Sequence, residues 1–172
     1  MKVLFVSDSH GLTTELEKIV EKHQNDVQLF FHCGDSELTS DHPALKDFIV
    51  VGGNCDFDER FSEDIVHKIG DKTLFITHGH KYSVKSSLMK MAYKAREIGA
   101  EIVCFGHSHY LGAEMDRGIL FINPGSIRLP RGRLEKTYVI LDIGEKAYQL
   151  HVYDLNKGEL PELAQVFSFR NY

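Results

Sequence analysis

Residues 2–10 read Lys2-Val3-Leu4-Phe5-Val6-Ser7-Asp8-Ser9-His10. Four consecutive apolar residues, Val3 to Val6, mark a strand buried on both faces, and they run straight into an aspartate and a histidine. The same order recurs four more times. Val27 to Phe31 leads to Gly34-Asp35, and Phe48 to Val51 leads to Gly53-Asn54-Cys55-Asp56. Thr73 to Ile76 leads to His78-Gly79-His80, and Ile102 to Phe105 leads to Gly106-His107-Ser108-His109. A buried strand delivers its next few residues to one edge of a sheet, and the carboxyl edge of parallel strands is where ligands bind. Five polar clusters at strand ends therefore predict one assembled site, built from the oxygen and imidazole donors that divalent metals take.

Between these strands the periodicity changes. Thr14 and Glu17 have the spacing of a capping box, and Leu16, Ile19, Val20 and His23 line one face of a short helix. Val84, Leu88, Met91, Ala92, Ala95 and Ile98 recur at helical spacing, with Gly99 placed as a C-cap. Elsewhere the chain turns back on itself. Ile65 to Ile69 and Thr73 to Thr77 flank Gly70-Asp71-Lys72, which reads as an antiparallel hairpin. From Leu111 onward the pattern is strand-like: a hairpin around Asp116-Arg117-Gly118, then Thr137 to Ile143, the turn Gly144-Glu145-Lys146, and Ala147 to Tyr153. A doubly wound fold would not end in hairpins. The expectation is one α/β (α+β) domain over residues 1–172, a four-layer αββα sandwich of two mixed β-sheets flanked by helices.

Composition narrows the function. A chain of 172 residues, 42% hydrophobic, buries a substantial core, and no apolar run reaches the length of a membrane span. The N-terminus enters a strand at once and carries no secretory signature, so a cytoplasmic protein is expected. Three cysteines argue against a disulfide framework. Cys33 and Cys104 read as small buried hydrophobes, whereas Cys55 sits in a polar cluster. A net charge of −5 disfavours nucleic acid as a partner. A small phosphate-containing substrate needs only a local positive site, which metal ions can supply. The hairpin-rich second half and the Leu163 to Phe169 tail leave room for a homo-oligomer, dimer or tetramer.

Taken singly, each cluster has an ordinary reading as a turn, and a lone loop histidine seldom binds metal. Together they resist it, because five of the ten histidines fall in three of these clusters, each directly after an apolar run. The order Asp8-x-His10, Gly34-Asp35, Gly53-Asn54, His78 and Gly106-His107-x-His109 resembles that of the calcineurin-like metallophosphoesterases. Asn123-Pro124-Gly125-Ser126, followed by Arg128, Pro130 and Arg131, resembles their compact bacterial and archaeal phosphodiesterase branch.

The resemblance implies a two-sheet sandwich flanked by helices and a centre of two divalent metal ions. Asp8, His10 and His109 would hold one, Asn54, His78 and His107 the other, with Asp35 bridging. Two cations about 3.5 to 4 Å apart need such an anionic bridge. Manganese is the first expectation, and the donor set also accepts nickel, cobalt, iron or zinc. The implied reaction is hydrolysis of a small phosphodiester by a hydroxide shared between the metals, and no serine-based triad competes with it. A phosphomonoesterase, a small nuclease, or a non-catalytic scaffold on the same fold are the alternatives.

Many members of the family carry histidine after the asparagine, where this chain has Cys55. A thiol with an ordinary pKa of about 8.5 is a poor proton donor to a leaving group at neutral pH. His80 then becomes either the catalytic acid or a residue orienting His78. Asp56 would steady a ligand histidine or cap a turn, and Arg128 and Arg131 would hold a substrate phosphate together with Asn54.

Overall fold

In the computed structural model, which describes residues 1–169, the first half runs β1 (Lys2–Val6), α1 (Thr14–His23), β2 (Leu29–His32), β3 (Phe48–Val50), β4 (Asp64–Ile69), β5 (Lys72–Thr77) and α2 (Met89–Ile98). The second half runs β6 (Ile102–Cys104), β7 (Leu111–Asp116), β8 (Ile119–Pro124), β9 (Thr137–Ile143), β10 (Ala147–Asp154), β11 (Gly158–Glu159) and β12 (Gln165–Ser168). These strands form two mixed sheets. The first has the order β11-β10-β9-β1-β2-β3, with β12 also on β10; the second has the order β4-β5-β6-β8-β7. β1, β2 and β3 are parallel, as are β5, β6 and β8, so the two runs deliver their carboxyl ends to a common region.

Alternation along each strand sets the layers. Val3 and Phe5 of β1 join Leu74, Ile76, Ile102 and Ile122 in the core between the sheets. Leu4 and Val6 face the other way and pack with Leu16 and Ile19 of α1. On the second sheet Phe75, Val103 and Phe121 face outward onto Met91, Ala92 and Ala95 of α2. Each fully buried Leu, Ile or Phe contributes about 1.5–3 kcal/mol by leaving water. Three apolar cores between helix, sheet, sheet and helix are the four layers expected. Across the central core the free thiols of Cys33 and Cys104 meet with Sγ–Sγ 3.4 Å, packing as hydrophobes rather than as a disulfide.

Local details differ from the sequence reading. The capping box does not form: Thr13, not Thr14, is the N-cap of α1 and its side chain makes no capping bond. Glu15 and Glu17 still lie in the first turn, where they complement the helix dipole. β2 begins at Leu29 because the Val27 N–H closes the end of α1 by donating to His23 O at 2.9 Å. α2 begins at Met89, five residues later than its apolar period. Ser83 adopts a left-handed conformation and the Met89 N–H donates to Ser87 Oγ at 3.0 Å. Val84 and Leu88 still pack on the outer core, so the period reported burial rather than helix. Gly99 caps α2 as expected, with φ of 68°. The tail to Phe169 completes the first sheet through β12, and the Phe169 ring stands 4.6 Å from Tyr148. Among the described residues no helix is long and apolar enough to cross a membrane.

Candidate metal centre

The loops after β1, β2, β5 and β6 meet and are knitted by their backbones. The Asp8 N–H donates to Gly34 O at 3.0 Å, the His10 N–H to Asp35 O at 3.0 Å, and the Gly106 N–H to His78 O at 3.1 Å. The two sheets are joined by the His107 N–H, which donates to Asp8 Oδ2 at 3.1 Å, and by Ser126 Oγ, which donates to Asp8 O at 2.7 Å. Two donor groups result. Asp8, His10 and His109 bring one ligand atom each within 4.8 Å of one another, and so do Asp35, His78 and His107.

The histidines point inward by the same atom. Nε2 of His109 and of His78 lie 3.1 and 3.2 Å from Asp8 Oδ1, and Nε2 of His10 lies 3.8 Å from it. His78 Nε2 is also 3.3 Å from Asp35 Oδ2, so it stands between the two carboxylates. The opposite ring nitrogens are held from outside. His10 Nδ1 meets Glu37 Oε1 at 2.6 Å, His109 Nδ1 meets Leu129 O at 2.7 Å, and His78 Nδ1 meets His80 Nδ1 at 3.1 Å. This is the usual support of metal-binding imidazoles. The carboxylates divide in the same way: Asp8 Oδ2 is held by Ser7 and His107, and Asp35 Oδ1 accepts from the Cys55 N–H at 2.8 Å. One oxygen of each is left facing the centre.

At Asp8 and His107 electrostatics favour the metal-binding protonation states; at His109 they favour the imidazolium, whose proton a bound cation would displace. Burial pushes Asp8 up, but hydrogen bonds from His109, His78 and Ser7 outweigh it and hold the carboxyl far below its usual range. The bond to Asp8 raises His109 against its burial. His107 is pushed down to about 4, by burial first and then by the charges of His78 and Lys85. An ionised carboxylate and a neutral imidazole are the forms that ligate.

The backbone here is strained. Asp8, His10, Asp35, His107 and His109 all have positive φ, between 42° and 67°. Left-handed backbone costs a non-glycine residue about 1–2 kcal/mol, so these loops hold their side chains in place at the expense of stability. Glycine occurs where the loops come closest. A Cβ at Gly53 would stand 2.1 Å from Asp35 Oδ1, and one at Gly106 would stand 2.0 Å from Ser7 Oγ.

The profile of the calcineurin-like phosphoesterase superfamily domain matches residues 1–146. The chain belongs to this family. It is 47% identical over 163 residues to the probable metallophosphoesterase YsnB of Bacillus subtilis, covering 95% of this chain and 96% of that protein. Phosphodiesterase YfcE of Escherichia coli is 26% identical over 170 residues, covering 83% of this chain and 88% of its own. A crystal structure from Streptococcus pneumoniae, described as a conserved uncharacterized protein and predicted phosphoesterase, superposes with a TM-score of 0.93 at 34% identity, covering 98% of this chain and 97% of that one. Membership implies divalent metal ions, and the two buried donor groups above fit that chemistry.

Other expected members of the phosphoesterase site fall around the centre. Asn54 is exposed on the loop after β3, with Nδ2 3.5 Å from Cys55 Sγ. Cys55 is closer in than its sequence context suggests: its sulfur joins His10 and Asp35 in a third donor group. Burial, then Asp35, push this thiol up to about 11. Asp56 hydrogen-bonds to no histidine among the described residues. It accepts the N–H groups of Asp35, Glu37 and Gly53 and the Ser36 hydroxyl, and so clamps the Asp35 loop to the Gly53 loop. Arg128 and Arg131 are exposed; the Arg131 N–H donates to His109 O at 3.1 Å, which brings it beside the site. Sequence reasoning missed Glu37 and Ser7. Neither carries a motif, and only their places beside Asp35 and Asp8 hint at a role.

Proposed function

We propose that this chain is a phosphodiesterase with a dinuclear centre, in which Asp8, His10 and His109 hold one divalent cation, Asn54, His78 and His107 the other, and Asp35 lies between them. The observation that carries this reading is the convergence of two donor groups, each within 4.8 Å, on buried carboxylates and inward-turned Nε2 atoms. Two bound cations, manganese in our assignment, would lower the pKa of a water and offset the charge growing on the phosphoryl oxygens.

The chain's own residues supply the rest. Asp8 and Asp35 bring the negative charge that lets two cations approach. Glu37, Leu129 O and His80 hold the imidazoles in register. With His78 Nε2 committed to a cation, its Nδ1 carries the proton and donates to His80 Nδ1. His80 then presents its Nε2–H, and we assign it the leaving-group oxygen, which it steadies by a hydrogen bond while water supplies the proton. Cys55 keeps its proton and acts as a neutral wall. Arg131 and Arg128 meet the substrate phosphate. Preference for a diester is supported by the name of the E. coli relative, phosphodiesterase YfcE.

The test compares bis-p-nitrophenyl phosphate with p-nitrophenyl phosphate, with manganese added and then chelated. Faster turnover of the diester, lost on chelation, is expected. Preference for the monoester would move the reading to a phosphomonoesterase, and no metal-dependent turnover of either would sink it.

A further inference from the structure

A cleft of about 610 Å³ opens on the outer face of the second sheet, between β7 and the segment that precedes α2. Its upper wall is the histidine loop itself. Ser108, which lies between His107 and His109, lines it, and so does Tyr110. The floor is apolar, formed by Val84, Leu88 and Phe121 of the outer core. At the rim stand an exposed tyrosine ring, Tyr110, and two cations, Lys85 and Arg131. The Tyr110 ring lies against Gly132, where a Cβ would come within 2.8 Å of it. Neither Lys85 nor Arg131 forms a side-chain ion pair among the described residues, and Arg131 is tethered to the metal loop by its N–H bond to His109 O. One carboxylate, Glu114, lines the cleft as well.

These features specify an occupant. The volume lies within the range of small-molecule sites, which run from about 300 to 1,000 Å³. An apolar floor beside an exposed aromatic face accepts a flat ring, since every nucleobase offers a π-face for stacking. Arg131 is set toward the phosphate at the metals, and Lys85 extends the positive charge at the mouth, which calls for negative charge beyond that phosphate. Glu114 can accept from ring N–H groups. We infer that this cleft binds the non-leaving arm of the diester, and that this arm is nucleotide-like: a flat heterocycle carrying a further phosphate. The inference rests on the phosphodiesterase reading above and adds the substrate class.

Three chromogenic diesters share one leaving group and differ only in the retained arm: bis-p-nitrophenyl phosphate, the p-nitrophenyl ester of thymidine 5′-monophosphate, and the same ester bearing a 3′-phosphate. With manganese present, kcat/KM should rise along this order by about tenfold or more overall, mainly through KM. Two variants test the location. Lys85→Met removes one cation. Gly112→Leu fills the cleft, because Gly112 lines it and a Cβ there meets nothing within 4 Å. Both should bring the preference below about threefold. A flat series in the wild type, or a preference that survives both variants, overturns the inference. So does a change in oligomeric mass in Gly112→Leu with the preference intact, since the cleft would then seat a second copy. If none of the three esters is hydrolysed, the phosphodiesterase reading fails separately, and calorimetry with thymidine 3′,5′-bisphosphate decides the cleft. Binding weakened at least about fivefold by both variants supports the site, and unchanged binding removes it.

Discussion

Asp56→Asn probes how the site is held together. Asp56 Oδ2 accepts the Asp35 N–H at 2.8 Å and the Gly53 N–H at 2.7 Å. Oδ1 accepts the Glu37 N–H at 2.8 Å and the Ser36 hydroxyl at 3.2 Å. A carboxamide has one acceptor oxygen. Its least damaging orientation keeps that oxygen on Asp35 and Gly53 and turns the NH₂ toward Ser36, whose hydroxyl can rotate to accept. The Glu37 N–H then loses its partner, and two charge-assisted bonds become neutral ones. One lost bond to a charged acceptor is worth about 1.5–3 kcal/mol, and partial exposure of the site favours the low end, so about 2 kcal/mol is expected. For a chain of this length that lowers the thermal midpoint of the metal-free protein by about 4–8 °C. Manganese affinity should fall about 10- to 100-fold, because Asp35 and its Glu37 neighbour lose their fixed positions. Differential scanning calorimetry and titration calorimetry read the two effects. The exposed Asp41→Asn, which weakens surface contacts with Thr39 and Arg60, serves as control and should change little. An Asp56→Asn protein with wild-type midpoint and wild-type manganese affinity would refute the reasoning.

Three further perturbations separate other parts of the account. His32 is fully buried; its Nδ1 accepts from the Gly34 N–H at 3.1 Å, so Nε2–H faces Ser9 Oγ at 2.7 Å, and burial holds its pKa down to about 4. The unfolded chain takes a proton there near 6.5, so this contribution is present above that pH and lost as pH falls toward 4. About 2 kcal/mol should disappear between pH 7 and 4.5 in metal-free wild type but not in His32→Gln; parallel stability profiles would contradict it. His109 has φ of 61°, so urea unfolding of the metal-free variants should find His109→Gly more stable than His109→Ala by about 0.5–1 kcal/mol, and an alanine variant of equal or greater stability would remove the strain argument. His80→Ala should slow alkyl phosphodiesters more than p-nitrophenyl esters, which need no proton on leaving. An equal loss on both would reduce His80 to its contact with His78.

The layers were readable because β1, β2, β5 and β6 are almost wholly buried and lead into the clustered polar residues, so one pattern reported fold and site together. The pairing of β9 with β1 was not readable. Antiparallel addition of a late hairpin beside an early strand depends on packing across 134 to 140 residues of chain, from Phe5–Val139 to Lys2–Asp142, and no local period records it. Helical spacing before α2 misled for a related reason: Val84 and Leu88 serve the same outer core from non-helical backbone. Within the site the donor residues that converge were legible and their supports were not. Of the two roles read for Asp56, steadying a histidine or capping a turn, the structure shows the second in a wider form, a clamp on backbone N–H groups of two loops. Glu37 reaches His10 only because the Asp35 loop turns through left-handed residues, a geometry that aspartate and histidine tolerate without announcing it.

The central claim is a pair of cations with Asp35 between them, and metal stoichiometry tests it most directly. Wild-type protein loaded with manganese, desalted and subjected to elemental analysis should hold two ions per chain and hydrolyse bis-p-nitrophenyl phosphate. Asp35→Asn should hold at most one and lose activity by about 100-fold or more. Two tightly held ions and full activity in Asp35→Asn would contradict the account.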